Sequence, residues 1–244
     1  DWVKQWFMVE GLDNGRVFIP SKLQENPYLD QKTYIESLMN LDPITRRQYL
    51  DGDWTAKHGG SIFQREWFTI VDAYPQDCKI VRYWDKAATK PKSTNKDPDY
   101  TVGVKLGETR GIYYIIDIKR IRGNPAETEA LIKQTAELDV HCKTFMEQEP
   151  GSSGVEAIDH YNREVLKGFA FYGVKTTGPK AERAAPVASA AEAGNIKLCR
   201  GNWNNTFLDE LEGFPIGDHD DQVDALSGAF NQLHHHDSKA WKFG

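Results

Sequence analysis

Cysteine is scarce in this chain and shows no pattern. Cys78, Cys142 and Cys199 are odd in number, widely spaced and form no CxxC, which excludes a disulfide framework and a structural zinc site and fits a reducing compartment. No apolar run approaches the roughly 18–20 residues of a membrane span, and no GxxxxGK[ST] phosphate loop occurs, so a P-loop nucleotide hydrolase is not expected from these residues. Basic residues are missing from one long stretch: 201–233 contains no Lys or Arg, yet it holds Asp209, Glu210, Glu212, Asp218, Asp220, Asp221 and Asp224. What is present argues against disorder. Aromatic residues at 11% and apolar residues at 39% are too many for a solvated tail, and 244 residues can bury a real core.

The net charge of -6 alone disfavours a nucleic-acid partner. Its distribution says otherwise. Between 86 and 122, Lys86, Lys90, Lys92, Lys96, Lys105, Arg110, Lys119, Arg120 and Arg122 outnumber Asp97, Asp99, Glu108 and Asp117. A basic approach surface beside an acidic pocket is therefore expected.

Residues 1–76 are punctuated by Asn26-Pro27, Asp42-Pro43, Gly52-Asp-Trp54 and Gly59-Gly60, with helical stretches around 34–39 and 46–50, and read as an irregular subdomain or linker. The text opens at Asp1 as if in mid-pattern, and a fragment of a longer protein is expected. From residue 78 the pattern is regular. Lys79–Trp84, Tyr100–Leu106 and Ile112–Ile121 read as strands, the last two joined as a hairpin through Gly107-Glu-Thr-Arg-Gly111. Asn124, Pro125 and Glu127 supply a cap, a first helical position and a capping box for a helix carrying Leu131, Ile132, Thr135 and Leu138. Cys142–Glu149 reads as a buried strand, Val155–Leu166 as a helix, Phe169–Lys175 as a strand, and 180–193 as a helix interrupted by Pro186. A short strand at Ile196–Leu198 and helices over 205–213 and 219–233 complete the order. The fold class is α/β, with three antiparallel strands followed by parallel ones and flanked by helices.

Three acidic positions fall at element ends. Asp85 closes the first regular strand, Glu149 the fourth, and Asp220, Asp221 and Asp224 open the last helix. Where the fourth strand pairs parallel to the first, such carboxylates converge into a pocket for hard divalent cations. Acids in a first helical turn also favour the helix dipole without any metal. Spacing shifts the balance, because Asp220/Asp224 and Asp221/Asp224 crowd one face at i,i+4 and i,i+3, a repulsion that a cation would offset. Glu147 shares the strand face of Glu149; the latter is preferred as nearer the strand end. His219 is a candidate for tuning the site or capping its helix. Tyr100, Trp203 and Phe207 are candidates for base stacking or for the core. His234, His235 and His236 are candidates for a short metal-binding tract or a tag remnant, and with no spaced partner they read rather as a solvated tail.

Three motifs, Tyr83-Trp-Asp-Lys-Ala87, Glu147-Gln-Glu-Pro-Gly-Ser-Ser-Gly154 and Gly217-Asp-His-Asp-Asp-Gln-Val-Asp-Ala225, together and in this order resemble the nuclease domain of the large terminase subunit of tailed bacteriophages. Val17-Phe-Ile-Pro20, Asn26-Pro-Tyr28 and Leu50-Asp-Gly-Asp-Trp54 are similar to the stretch that follows the ATPase domain there. The resemblance implies an RNase H-like nuclease domain at 77–233, a linker or subdomain at 1–76 following an ATPase domain absent from this chain, and a tail at 234–244. It implies an endonuclease cutting concatemeric double-stranded DNA with two Mg²⁺ or Mn²⁺ ions. Asp85, Glu149 and Asp221 (or Asp220) would take the catalytic positions, with Asp224 as a further ligand. Lys180 and Arg183, in a Gly-x-Lys-x-x-Arg stretch, would contact the DNA backbone. Lys86, beside Asp85, is by its position a candidate for steering a scissile phosphate or a plain surface lysine. Portal protein and small terminase subunit are the expected partners, in the host cytoplasm at the procapsid portal. A junction resolvase or integrase-like nuclease, and a DNA-gripping module with latent nuclease activity, are the alternatives.

Overall fold

The computed structural model describes residues 62–87 and 98–240, the backbone alone for 235–240, and the single positions 30, 34, 35, 38, 49 and 50. The chain divides into two compact units, Asp1–Gly60 and Ser61–Gly244. In the first, residues 34, 35, 38, 49 and 50 are helical, where helix is expected. The N-terminal motifs other than Leu50, and Lys90, Lys92, Lys96 and Asp97 of the basic stretch, lie outside the described residues. The second unit begins at Ser61, ahead of the expected boundary at 77. Among the described residues no helix is long and apolar enough to cross a membrane.

The second unit is a seven-stranded mixed sheet with helices on both faces. Its strands are β1 (Thr69–Val71), β2 (Lys79–Asp85), β3 (Thr101–Thr109), β4 (Ile112–Ile121), β5 (Lys143–Gln148), β6 (Phe171–Lys175) and β7 (Ile196–Cys199). They lie in the order β1-β7-β4-β3-β2-β5-β6. β2, β3 and β4 are antiparallel neighbours, and the β2/β5, β5/β6, β4/β7 and β1/β7 pairs are parallel. The β3–β4 hairpin turns on Arg110 and Gly111, both at positive φ (53° and 78°), as a tight primed turn requires.

The helices are α1 (Pro125–Leu138), α2 (Ser152–His160), α3 (Lys180–Glu192), α4 (Asn204–Gly213) and α5 (Asp221–Ala240). α1 starts with the expected capping box: Glu127 N–H donates to Asn124 Oδ1 (3.1 Å) and Asn124 N–H to Glu127 Oε2 (2.8 Å). α2 passes into a π-helical turn at Tyr161–Val165. Alternation along β2 separates the two layers. Tyr83 joins Val223, Leu226 and Ala229 of α5 in the larger core, its ring so close to Gly228 that a Cβ there would lie 2.3 Å from Cε1. Trp84 points the other way, into a second core with Ile132, Ala136, Met146 and Leu166.

Three expectations are corrected. β1 was not anticipated: Thr-Ile-Val is too short to show periodicity, and its pairing partner β7 is remote in sequence, yet Phe63 and Phe68 beside it are core residues. Pro186 does not interrupt α3. The residue is exposed while Ala184, Val187, Ala188 and Ala191 are buried, so packing holds the helix where one backbone hydrogen bond is forfeited. α5 starts at Asp221 rather than at 219 and runs past 233 to Ala240.

Candidate active site

The parallel β2/β5 register pairs Val81 with Lys143, Arg82 with Thr144, Tyr83 with Phe145 and Trp84 with Met146. One step further sets Asp85, the last residue of β2, beside Glu147. Both lie on the Tyr83 face, because side chains two apart share a face. That face carries α5, whose first turn holds Asp221 and Asp224. Burial, followed by the charges of Asp224, Glu147 and Asp221, pushes the Asp85 carboxyl well above the ordinary range, opposed by Lys180. Four acids from β2, β5 and α5 thus share one site.

Glu149 sits beyond the end of β5 and is exposed. It lines, with Asp85, Lys86, Glu147, Ser153 and Gly154, an open cavity of about 270 Å³. Nearness to the strand end favours Glu149 over Glu147; the register instead makes Glu147 the nearer neighbour of Asp85, and its side chain accepts a hydrogen bond from Thr176 Oγ1. The Gly-rich turn makes this geometry possible. Gly151 has φ 94°, and a Cβ on Gly154 would fall 1.9 Å from the Glu149 carbonyl oxygen, so α2 can start this close to the strand end only with glycine there.

Lys180 and Arg183 of α3 reach across to α5. Lys180 Nζ lies 2.7 Å from Asp220 Oδ1 and 2.8 Å from Asp224 Oδ2, and Arg183 Nη2 lies 2.6 Å from Asp224 Oδ1. Burial works against the Lys180 charge, but hydrogen bonds to Asp220 and Asp224 and their charges raise its pKa overall. Asp224, buried, has both oxygens engaged. Lys86 stands at the cavity with Nζ 5.9 Å from the centre of the Tyr161 ring.

Asp221 is held from the other side. Its Oδ2 accepts the Tyr100 backbone N–H at 3.0 Å and lies 3.9 Å from His219 Nδ1. Burial raises its pKa, with the charges of Asp99 and Asp220, against the Tyr100 hydrogen bond. Asp99, His219 and Asp221 can each offer a ligand atom within 4.8 Å of the others. His219 therefore neighbours the acids rather than heading the helix alone. Of the candidate stacking residues, Phe207 is core and Trp203 packs against that core, while the Tyr100 ring is covered by Arg120 and Arg122. The fold brings these two arginines of the basic stretch to the site; their i,i+2 spacing, at and just beyond the end of β4, is the one sequence signal for it.

Residues 82–233 match the family described as Terminase RNaseH-like domain. The chain belongs to this family. The large terminase nuclease of thermophilic phage G20c is similar at 19% identity, with 70% of this chain and 98% of that one covered and a TM-score of 0.51. The nuclease domain of Thermus phage P74-26 large terminase gives 19%, 70%, 95% and 0.51. The large terminase of a further thermophilic bacteriophage is similar at 13% identity over 95% of this chain and 60% of its own, with a TM-score of 0.51. Among curated proteins none matches. The G20c nuclease is also known with magnesium bound. For this terminase RNase H-like domain the comparisons establish the fold; in the structure the first motif ends β2, the second runs from the last two residues of β5 into the start of α2, and the third opens α5.

Proposed function

We propose that this terminase domain is a metal-dependent DNA endonuclease that cuts concatemeric double-stranded DNA during genome packaging. One observation carries the reading: the β2/β5 register sets Asp85 beside Glu147 and faces both toward Asp221 and Asp224 of α5. Five carboxylates, counting Asp220, meet two cations, Lys180 and Arg183. The unbalanced charge and all-oxygen donors suit Mg²⁺ or Mn²⁺, the G20c relative being known with magnesium.

Asp85, Glu147 and Asp221 would hold the ions, with Glu149 at the cavity rim and Asp220 and Asp224 releasing Lys180 and Arg183 when they contribute. Two divalent ions, when bound, stabilise the attacking and leaving oxygens of a phosphodiester. Lys86 and the N-terminal turn of α2 line the same cavity and give a phosphate positive partners. Lys180 and Arg183 stand beside the same acids, where they would meet the DNA backbone. Portal protein, small subunit and the ATPase domain of the same protein are the partners this reading assigns, at the procapsid portal in the host cytoplasm.

Plasmid DNA with Mn²⁺ tests the assignment. Asp85→Asn keeps the shape and removes the charge, and should lower cleavage at least about 100-fold. Equal digestion by wild type and variant would overturn the site.

A further inference from the structure

The Tyr100 ring has the Arg120 guanidinium carbon 3.5 Å and that of Arg122 3.7 Å from its centre. Two groups this close to one centroid must lie on opposite faces, so the ring is sandwiched. Each arginine is then tied down. Arg120 Nη2 lies 3.2 Å from a Glu210 carboxylate oxygen, and Glu210 accepts both the backbone and the side-chain N–H of Gln222, each at 2.6 Å. Arg122 Nη2 lies 3.0 Å from His219 Nε2. A guanidinium only donates, so Nε2 accepts and the ring proton sits on Nδ1, which faces Asp221 Oδ2 at 3.9 Å. The His219 ring meets Tyr100 edge-on, 5.6 Å between centres.

One contact is direct, the Tyr100 N–H on Asp221 Oδ2 at 3.0 Å; the other is steric, the His219 ring, held by Arg122, standing beside the carboxylate with Nδ1 3.9 Å from Oδ2, beyond hydrogen-bond distance. We infer that the Arg120–Tyr100–Arg122 stack is a positioning device that fixes the Asp221 carboxylate for metal binding, with Tyr100 and Arg122 as positioning residues. The inference rests on the reading of Asp221 as a ligand. The stack joins the start of β3, the end of β4, α4 and the entry to α5. It thereby couples a long-range strand pairing to one carboxylate oxygen. The flat ring between two planar cations resists rotation, and each cation has its own partner in Glu210 or His219. Groups that orient a ligand from behind commonly govern affinity for the ion.

The test is Mn²⁺ binding to the whole chain, read from the electron paramagnetic resonance of the free ion, with cleavage against Mn²⁺ concentration in parallel. Tyr100→Leu, which keeps the backbone N–H but removes the ring, and Arg122→Gln should each weaken Mn²⁺ binding about tenfold or more. Half-maximal cleavage should then need correspondingly more metal, while the rate at saturating Mn²⁺ recovers. Tyr100→Phe keeps the stack and should restore the wild-type midpoint. Wild-type affinity in folded Tyr100→Leu, or a Tyr100→Phe as weak as Tyr100→Leu, would overturn the inference. If Tyr100→Leu does not fold, Arg122→Gln decides in the same way. Loss of cleavage in Asp85→Asn alongside unchanged Mn²⁺ affinity in Tyr100→Leu refutes the positioning role alone. No Mn²⁺ binding by wild type, or full cleavage by Asp85→Asn, refutes the nuclease reading and the positioning role with it.

Discussion

Two clusters of charged side chains grow from opposite faces of β2, and they solve opposite problems. On the Trp84 face, Arg82 is buried, with Nε and Nη2 2.9 and 2.7 Å from Asp139 Oδ2, Nη2 2.8 Å from Asp117 Oδ2 and Nη1 3.1 Å from the Gly103 carbonyl. Lys105 and Lys119 complete it, on Asp139 at 2.6 Å and Asp117 at 3.2 Å. Three cations meet two carboxylates, and the cluster is closed. On the Tyr83 face, five carboxylates meet two cations beside an open cavity. Burial of charge is tolerated where partners are complete; where acids are left in excess, the deficit marks a place for something else to bind.

The largest expected effect comes from breaking the closed cluster. Arg82→Ala takes two hydrogen bonds from Asp139, leaving it Lys105 alone, and empties a buried site, and should cost about 3 kcal/mol of stability, measured by denaturant unfolding. An unfolding midpoint equal to that of wild type would show that the cluster is not structural.

On the open side the effect falls on activity. Glu147→Gln should reduce cleavage about 10–100-fold, and Glu149→Gln clearly less. The reverse order would mean that distance to the strand end matters more than register with Asp85.

The smallest effect is a pH dependence of opposite sign at the two clusters. Burial alone would raise the Asp117 carboxyl, but the charge and hydrogen bond of Arg82, with those of Lys119, hold it below its ordinary 3.8. Its contribution to stability is therefore present above about pH 3.8 and lost as the pH falls through the lower folded value. Asp85 is shifted upward, so without metal its ionised form weakens the fold, and acidification relieves that cost. Unfolding free energies below pH 4 should fall less steeply in Arg82→Ala than in wild type, since the Asp117 shift goes with the arginine.

Much of the fold was legible because its signals are local. The capping box at Asn124 and Glu127, the β3–β4 hairpin and the Gly151–Gly154 turn each act within a few residues, and each element forms where its signal stands. β1 carried no such signal: three residues become a strand only because β7 offers an open edge beside them. Pro186 gave a local signal that tertiary packing overrode. At the site, the acids at element ends were legible one by one, whereas the engagement of Lys180 and Arg183 by Asp220 and Asp224 depends on how α3 lies against α5.

The sequence by itself determined which chemistry is available: carboxylates at the ends of β2 and β5 and in the first turn of α5, few basic residues near them, and glycines that let α2 start close by. The tertiary structure decided which carboxylates meet. Register between strands remote in sequence is set by packing on both faces of the sheet, and that packing puts Glu147 beside Asp85 and seats Asp221 against the stacked Tyr100, neither of which any neighbouring residue specifies.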